Sequence, residues 1–176
     1  EYLKHSADYG INVKEASIDF EAIVKRSRGV AGNMSKGIEF LMKKNKITVI
    51  KGAALLVGNK KLEISSEGKK EIYEADHIIL ATGARSRDLP GVAKDGVKVL
   101  GYREAMVLPK QPKTLIIIGS GAIGMEFAYF YNTLGTKVTV IEFMPRILPV
   151  EDEEVSKLME KIYKKNGVEI MTNSAV

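Results

Sequence analysis

The chain has 176 residues, a formal charge of +5, two histidines and no cysteine. Disulfides, cysteine metal sites and thiol nucleophiles are therefore excluded within these residues, and with only His5 and His77 as imidazole donors no metal site is expected. The basic residues are spread along the chain and aromatics do not alternate with them, so no nucleic-acid partner is expected. No apolar run approaches the roughly 20 residues of a membrane helix, and there is no basic-then-apolar leader. The chain reads as cytoplasmic.

Glu1 to Ala16 carry little pattern and are expected to finish a helix before a loop. Ile18-Asp19-Phe20 then opens a long helix with Asp19 as its N-cap. Phe20, Ile23, Val24, Val30, Met34, Ile38, Leu41 and Met42 recur at helical spacing, which predicts an amphipathic helix laid on a core. Gly29, Gly32 and Gly37 interrupt it and suggest a bend or a close contact.

From Ile47 the period changes to two. Strands are expected at 47–50, 53–57, 62–64 and 71–73, with hairpin turns at Gly58-Asn59 and Glu67-Gly68. Ile78 to Ala81 reads as an apolar strand of the buried type, ending at Thr82-Gly83. A further extended piece is expected at Val97 to Leu100. Pro109 and Pro112 mark residues 104–113 as a linker, separating a first domain (1–103) from a second (114–176).

The second domain opens on TLIIIGSGAIGMEFAYFYNTLGTKVTVIE, Thr114 to Glu142. An apolar strand meets Gly119, Gly121 and Gly124 in G-x-G-x-x-G spacing; a helical pattern, a breaker at Gly135 and a β-branched strand ending on Glu142 follow. That context is the dinucleotide fingerprint. Gly119 turns the chain off the strand, Gly121 leaves room beside the backbone for a pyrophosphate, and Gly124 lets the helix approach the strand. The helix start supplies unpaired N–H groups and the positive end of a dipole. Glu142 stands where a carboxylate accepts from ribose hydroxyls and repels a 2′-phosphate, favouring NAD over NADP; Arg146, four residues on, is the one competing signal. Residues 151–166 read as another amphipathic helix, with Val155, Leu158, Met159, Ile162 and Tyr163 inside and Gly167 as its cap; Val168 to Met171 begins a third parallel strand. A three-stranded nucleotide-binding unit is an unfinished sheet.

With both halves laid out, the chain resembles the dihydrolipoamide dehydrogenases, a branch of the flavoprotein disulfide reductases. Four stretches carry the likeness: GVAGNMSKGIEFLMKKNKITVIKGAA (Gly29 to Ala54), IILATGARSRDLPG (Ile78 to Gly91), GSGAIGMEFA (Gly119 to Ala128) and KKNGVEIMTNSAV (Lys164 to Val176). The resemblance implies an α/β chain of two Rossmann-like FAD/NAD(P)-binding domains, both incomplete, with a β-meander in the first. It implies that Ala54, Thr82, Gly83 and Ala84 lie along bound FAD. It likewise implies that Gly119, Ser120, Gly121, Ala122, Ile123, Gly124, Glu126 and Glu142 hold NAD, with Val176 against its adenine. Glu126 is similar to an acid at the nicotinamide end that pairs with a flavin-side lysine; otherwise it is a dipole-stabilising acid in the first turn of a helix.

The family's FAD-binding glycine motif and redox cysteine pair would precede these residues, and its interface domain with a histidine–glutamate pair would follow them. No catalytic residue is therefore expected here, and the chain reads as an internal fragment. As a whole protein the resemblance implies a homodimer that oxidises a lipoyl-bearing protein of a 2-oxo acid dehydrogenase complex. The alternatives are a disulfide reductase acting on glutathione or mercuric ion, or a non-catalytic NAD-binding module.

Overall fold

A computed structural model describes Leu3 and residues 5–176. Glu1, Tyr2 and Lys4, the start of the expected N-terminal helix, lie outside the described residues; a short 3₁₀ turn, Ser6–Tyr9, follows them. The chain divides into two compact units, Ser27–Ala93 on one hand and Glu1–Arg26 with Lys94–Val176 on the other.

The long helix forms as its pattern predicts. α1 spans Phe20–Lys44, and the Asp19 carboxylate accepts from the Ala22 N–H at 2.9 Å, capping its first turn. It runs unbroken through its three glycines, none of which has a neighbouring atom where a Cβ would stand. The expected burial of its apolar stripe is met mainly at its start. Phe20 is buried and Val24 packs against the same core, whereas Val30, Met34, Ile38 and Leu41 are exposed.

In the Ser27–Ala93 unit, β1 (Ala53–Gly58), β2 (Lys61–Ser66) and β3 (Lys69–Glu74) form an antiparallel meander in that order. The first turn falls one residue later than expected, at Asn59-Lys60, both left-handed, because a bulge at Val57 shifts the register and brings Gly58 into the ladder opposite Lys61. Glu67-Gly68 makes the second turn as expected. Ile47 to Ile50 is not a strand. Lys46 is left-handed, and the Lys46 and Ile47 N–H groups donate to the Lys43 and Met42 carbonyls, so Ile47 belongs to the C-terminal cap of α1. Ile78 to Ala81 is no buried strand either: it has no ladder partner, and Ile79 is 90% exposed. No residue between 27 and 93 is buried.

In the other unit, Val97 to Leu100 turns instead of extending. One Asp95 carboxylate oxygen accepts from the Val97, Lys98 and Val99 N–H groups, each at 2.8 Å. These bonds hold the Asp95 carboxyl below its usual pKa. A short helix, α2 (Tyr102–Ala105), follows. Residues 104–113 are tied to the sheet that comes next: the Gln111 amide donates to the Leu134 carbonyl at 2.9 Å, and the Thr136 hydroxyl donates to the Pro112 carbonyl at 2.8 Å.

That sheet is parallel, in the order β4 (Thr114–Ile118), β5 (Lys137–Ile141), β6 (Glu169–Met171), with α3 (Ala122–Thr133) and α4 (Glu153–Lys165) as the crossovers. Its core joins Met125, Ala128 and Tyr131 of α3 to Val138 and Val140 of β5, with Ile147, Tyr163, Val168 and Phe20. Only the side of β4 bearing Leu115 and Ile117 is packed on this core, while Ile116 and Ile118 are exposed. The inside of α4 also differs from its pattern. Ser156 and Tyr163 are buried and Met159 is partly buried, but Val155, Leu158 and Ile162 are exposed.

The ends of α4 are well determined. Asp152 accepts from the Glu154 and Val155 N–H groups at 2.8 and 3.3 Å, and Gly167, left-handed, closes a C-terminal motif in which the Gly167 and Val168 N–H groups donate to the Lys164 and Tyr163 carbonyls. Asp152→Ala is expected to lower stability by about 1 kcal/mol, read as a shifted urea midpoint with unchanged slope.

Candidate functional site

The expected nucleotide residues converge where β4 and β5 end. Gly119 has a φ of +97° and its N–H donates to the Ile141 carbonyl at 2.8 Å, so the chain leaves β4 in a conformation that side chains resist. Gly124 has no room for a side chain. A Cβ there would stand 2.2 Å from the Gly119 carbonyl oxygen and 3.4 Å from Ile117 Cγ2. The helix thus sits directly on the turn that precedes it.

Gly121 differs from both. A Cβ at Gly121 would meet no atom of the chain within 4 Å, and as N-cap it supplies no side chain to the first N–H groups of α3. Those groups, on Ala122, Ile123 and Gly124, are the orphan donors of the helix. An uncapped helix start beside open space is suited to an anion, with backbone donors and dipole aligned. The residues present fit a pyrophosphate.

Glu142 follows β5 and is 7% exposed. Its Oε2 accepts from the Ser120 N–H at 2.8 Å and the Ser120 hydroxyl at 2.6 Å, and its Oε1 accepts from the Met144 N–H at 2.8 Å. Burial alone would raise its pKa. The Ser120 hydroxyl and the Met144, Ser120 and Phe143 N–H groups outweigh burial and hold the carboxyl below the ordinary glutamate value. The Glu142 N–H donates to the Met171 carbonyl, and its own carbonyl accepts from the Ser174 N–H. Val176, two residues further on, therefore follows a segment anchored to Glu142, and its side chain is exposed. Glu126 lies in the second turn of α3 and is exposed.

Arg146 is turned onto its own loop. Its guanidinium donates to the Pro149 and Glu151 carbonyls at 3.1 and 3.3 Å and stands 3.7 Å from the Glu153 carboxylate. The expected flavin residues are not assembled in the same way. Ala54 pairs with Ile64 in the meander, while Thr82, Gly83 and Ala84 are exposed in irregular chain. An open concavity of about 920 Å³ in that unit, lined by Met42, Ile47, Ile50, Ile64 and Tyr73 among others, contains none of them.

Two features had no clear sequence signal. A Cβ at Gly52 would stand 2.6 Å from the Ser65 carbonyl oxygen, so the chain entering β1 requires a glycine. Leu148 has a φ of +47°, and its backbone is held between the Ser120 carbonyl and the Ser156 hydroxyl. Only the hydroxyl of Ser120, surplus to what a glycine turn needs, pointed toward the Glu142 contact.

Gly124→Ala is expected to cost about 2 kcal/mol, because the obstructing atom is a backbone oxygen; equilibrium urea denaturation measures it. Glu142 gives a pH signature. Its pKa is lowered in the folded state, so its stabilisation is complete above the ordinary glutamate range and is lost as pH falls below it. Glu142→Gln is expected to lower neutral-pH stability by about 1–3 kcal/mol and to flatten the loss of stability between about pH 5 and 3, read from urea midpoints across that range.

Residues 5–176 match the family model described as pyridine nucleotide-disulphide oxidoreductase. A dihydrolipoyl dehydrogenase of Zymomonas mobilis is 43% identical over 175 residues, covering 99% of this chain and 38% of that protein. One from Chlorobaculum parvum is 44% identical over 168 residues, covering 95% and 36%. Among solved structures, LpdA from Mycobacterium tuberculosis superposes with a TM-score of 0.86 at 29% identity, over 97% of this chain and 38% of that one. The flavoprotein disulfide reductase RclA from Escherichia coli gives 0.78 at 28%, over 99% and 38%. The chain thus spans well under half the length of these relatives. With its glycine turn, parallel sheet and meander carried through nearly every residue of the match, the chain belongs to the pyridine nucleotide-disulphide oxidoreductase family.

Proposed function

We propose that these residues are the central part of an NAD-linked flavoprotein of the dihydrolipoyl dehydrogenase type. The carrying observation is the ionised Glu142 carboxylate fixed beside the uncapped start of α3. The Ala122, Ile123 and Gly124 N–H groups bind the pyrophosphate, Gly121 leaves it room, and Glu142 accepts from the adenosine ribose. Val176 borders the adenine and Glu126 faces the nicotinamide end. Arg146 is committed to Pro149, Glu151 and Glu153, which supports NAD as the nucleotide.

In this reading Ala54, Thr82, Gly83 and Ala84 contribute to an FAD seat whose remaining walls come from other residues of the whole protein. The bound cofactors supply the redox chemistry, and the protein's part is to hold and orient them. The whole enzyme oxidises a lipoyl-bearing protein as a homodimer, with its redox disulfide outside this cysteine-free stretch. The exposure of Thr82 to Ala84 favours one second reading, an NAD-binding module that takes no flavin.

Calorimetric titration with NAD and NADP tests the nucleotide site, and the visible spectrum of the same sample, with its intact mass, tests the flavin. Saturable NAD binding is expected, at least about tenfold tighter than NADP, because a 2′-phosphate meets the Glu142 charge. Gly121→Ala is expected to weaken NAD about tenfold or more, by blocking close approach of the pyrophosphate, while melting close to the parent temperature. Failure of NAD to bind overturns the proposal. NAD binding by a full-length protein without a flavin band selects the module instead.

A further inference from the structure

We propose that Ser120 makes the nucleotide site selective against a 2′-phosphate by fixing the Glu142 carboxylate in one orientation. This rests on the nucleotide-binding reading above and assigns its specificity to a second residue, one acting through Glu142. Ser120 is fully buried and donates twice to the same carboxylate oxygen, from its N–H at 2.8 Å and from its hydroxyl at 2.6 Å. The other oxygen is held by the Met144 N–H.

Ser120 is itself immobilised. Its carbonyl accepts from the Leu148 N–H at 3.0 Å, and the Leu148 carbonyl accepts from the buried Ser156 hydroxyl at 3.1 Å. The hydroxyl is therefore presented from a backbone pinned on both sides. A glycine or alanine at 120 would meet the needs of the phosphate turn equally well; the hydroxyl serves the carboxylate.

Selectivity follows from immobility. A glutamate on a flexible stem can rotate aside when a 2′-phosphate approaches, leaving exclusion weak. Rotation of Glu142 must break charge-assisted hydrogen bonds at both oxygens, which are roughly twice as strong as neutral ones. The nearby cation gives no relief, since Arg146 is occupied by the Pro149 and Glu151 carbonyls and the Glu153 carboxylate.

The test is titration of NAD and NADP into the full chain and into Ser120→Ala, Ser120→Cys and Ser120→Thr. Ser120→Ala is expected to shrink the NADP-to-NAD ratio of dissociation constants about tenfold, the scale of one hydrogen bond to a charged group. Ser120→Cys, close in volume but a poor donor, is expected to follow it, and gives the answer if the alanine variant does not fold. Ser120→Thr, which keeps the hydroxyl, is expected to retain the parent ratio. An unchanged ratio in both the alanine and cysteine variants overturns the proposal, even if both bind NAD more weakly, since that is what a merely structural serine would do. A parent chain that binds no NAD overturns the nucleotide reading itself.

Discussion

The parallel unit depends on one buried charge. The Glu142 carboxylate gathers donors from the glycine turn and from the chain after β5, while the Glu142 backbone bonds to Met171 and Ser174 beyond the next crossover. Three separate pieces of chain meet at this residue. Burial opposes the charge and directed N–H and O–H groups favour it; the balance leaves the carboxyl more acidic than usual. A neutral side chain of the same shape would turn donors toward donors, so the geometry of the turn and the ionisation of the acid are one property.

The close contact of Gly124 with the Gly119 carbonyl works alongside this charge. One sets how near α3 lies to β4, and the other sets where the loop between them stands. Together they explain why the start of α3 is left without a capping side chain: the loop is held from below by Glu142 and needs none of the usual local caps. The orphan donors stay available because the support comes from elsewhere.

The sequence was most readable where requirements are local. From Thr114 to Glu142, strand, turn, helix and acid follow within one supersecondary unit, and Gly124 answers to the Gly119 carbonyl five residues earlier. The first half misleads for the opposite reason. Ile47 to Ile50 and Ile78 to Ala81 have the composition of strands, but a strand is defined by its partner, and neither run has one. Val97 to Leu100 is claimed by the Asp95 carboxylate, a local competitor that propensity ignores. The amphipathic stripe of α1 was legible as a stripe; what lies against it was not. Within the site, the glycines and Glu142 could be found from spacing alone, whereas the orientation of the Ser120 hydroxyl depends on the Leu148 and Ser156 contacts, which no short pattern encodes.

The absence of any buried residue between 27 and 93 has a thermodynamic consequence. The heat-capacity increment and denaturant sensitivity of unfolding both scale with the surface newly exposed. The part of α1 after Arg26 and a three-stranded meander that is at most half-buried have little surface left to expose. By themselves, without other residues of a longer protein against them, they are therefore expected to melt with a shallow slope, weakly curved in temperature and spread over a wide range of urea. The unit containing Tyr131, Val138 and Val140 instead unfolds with the steep slope of a packed core. One polypeptide thus carries two kinds of order, separable by calorimetry before any ligand is added.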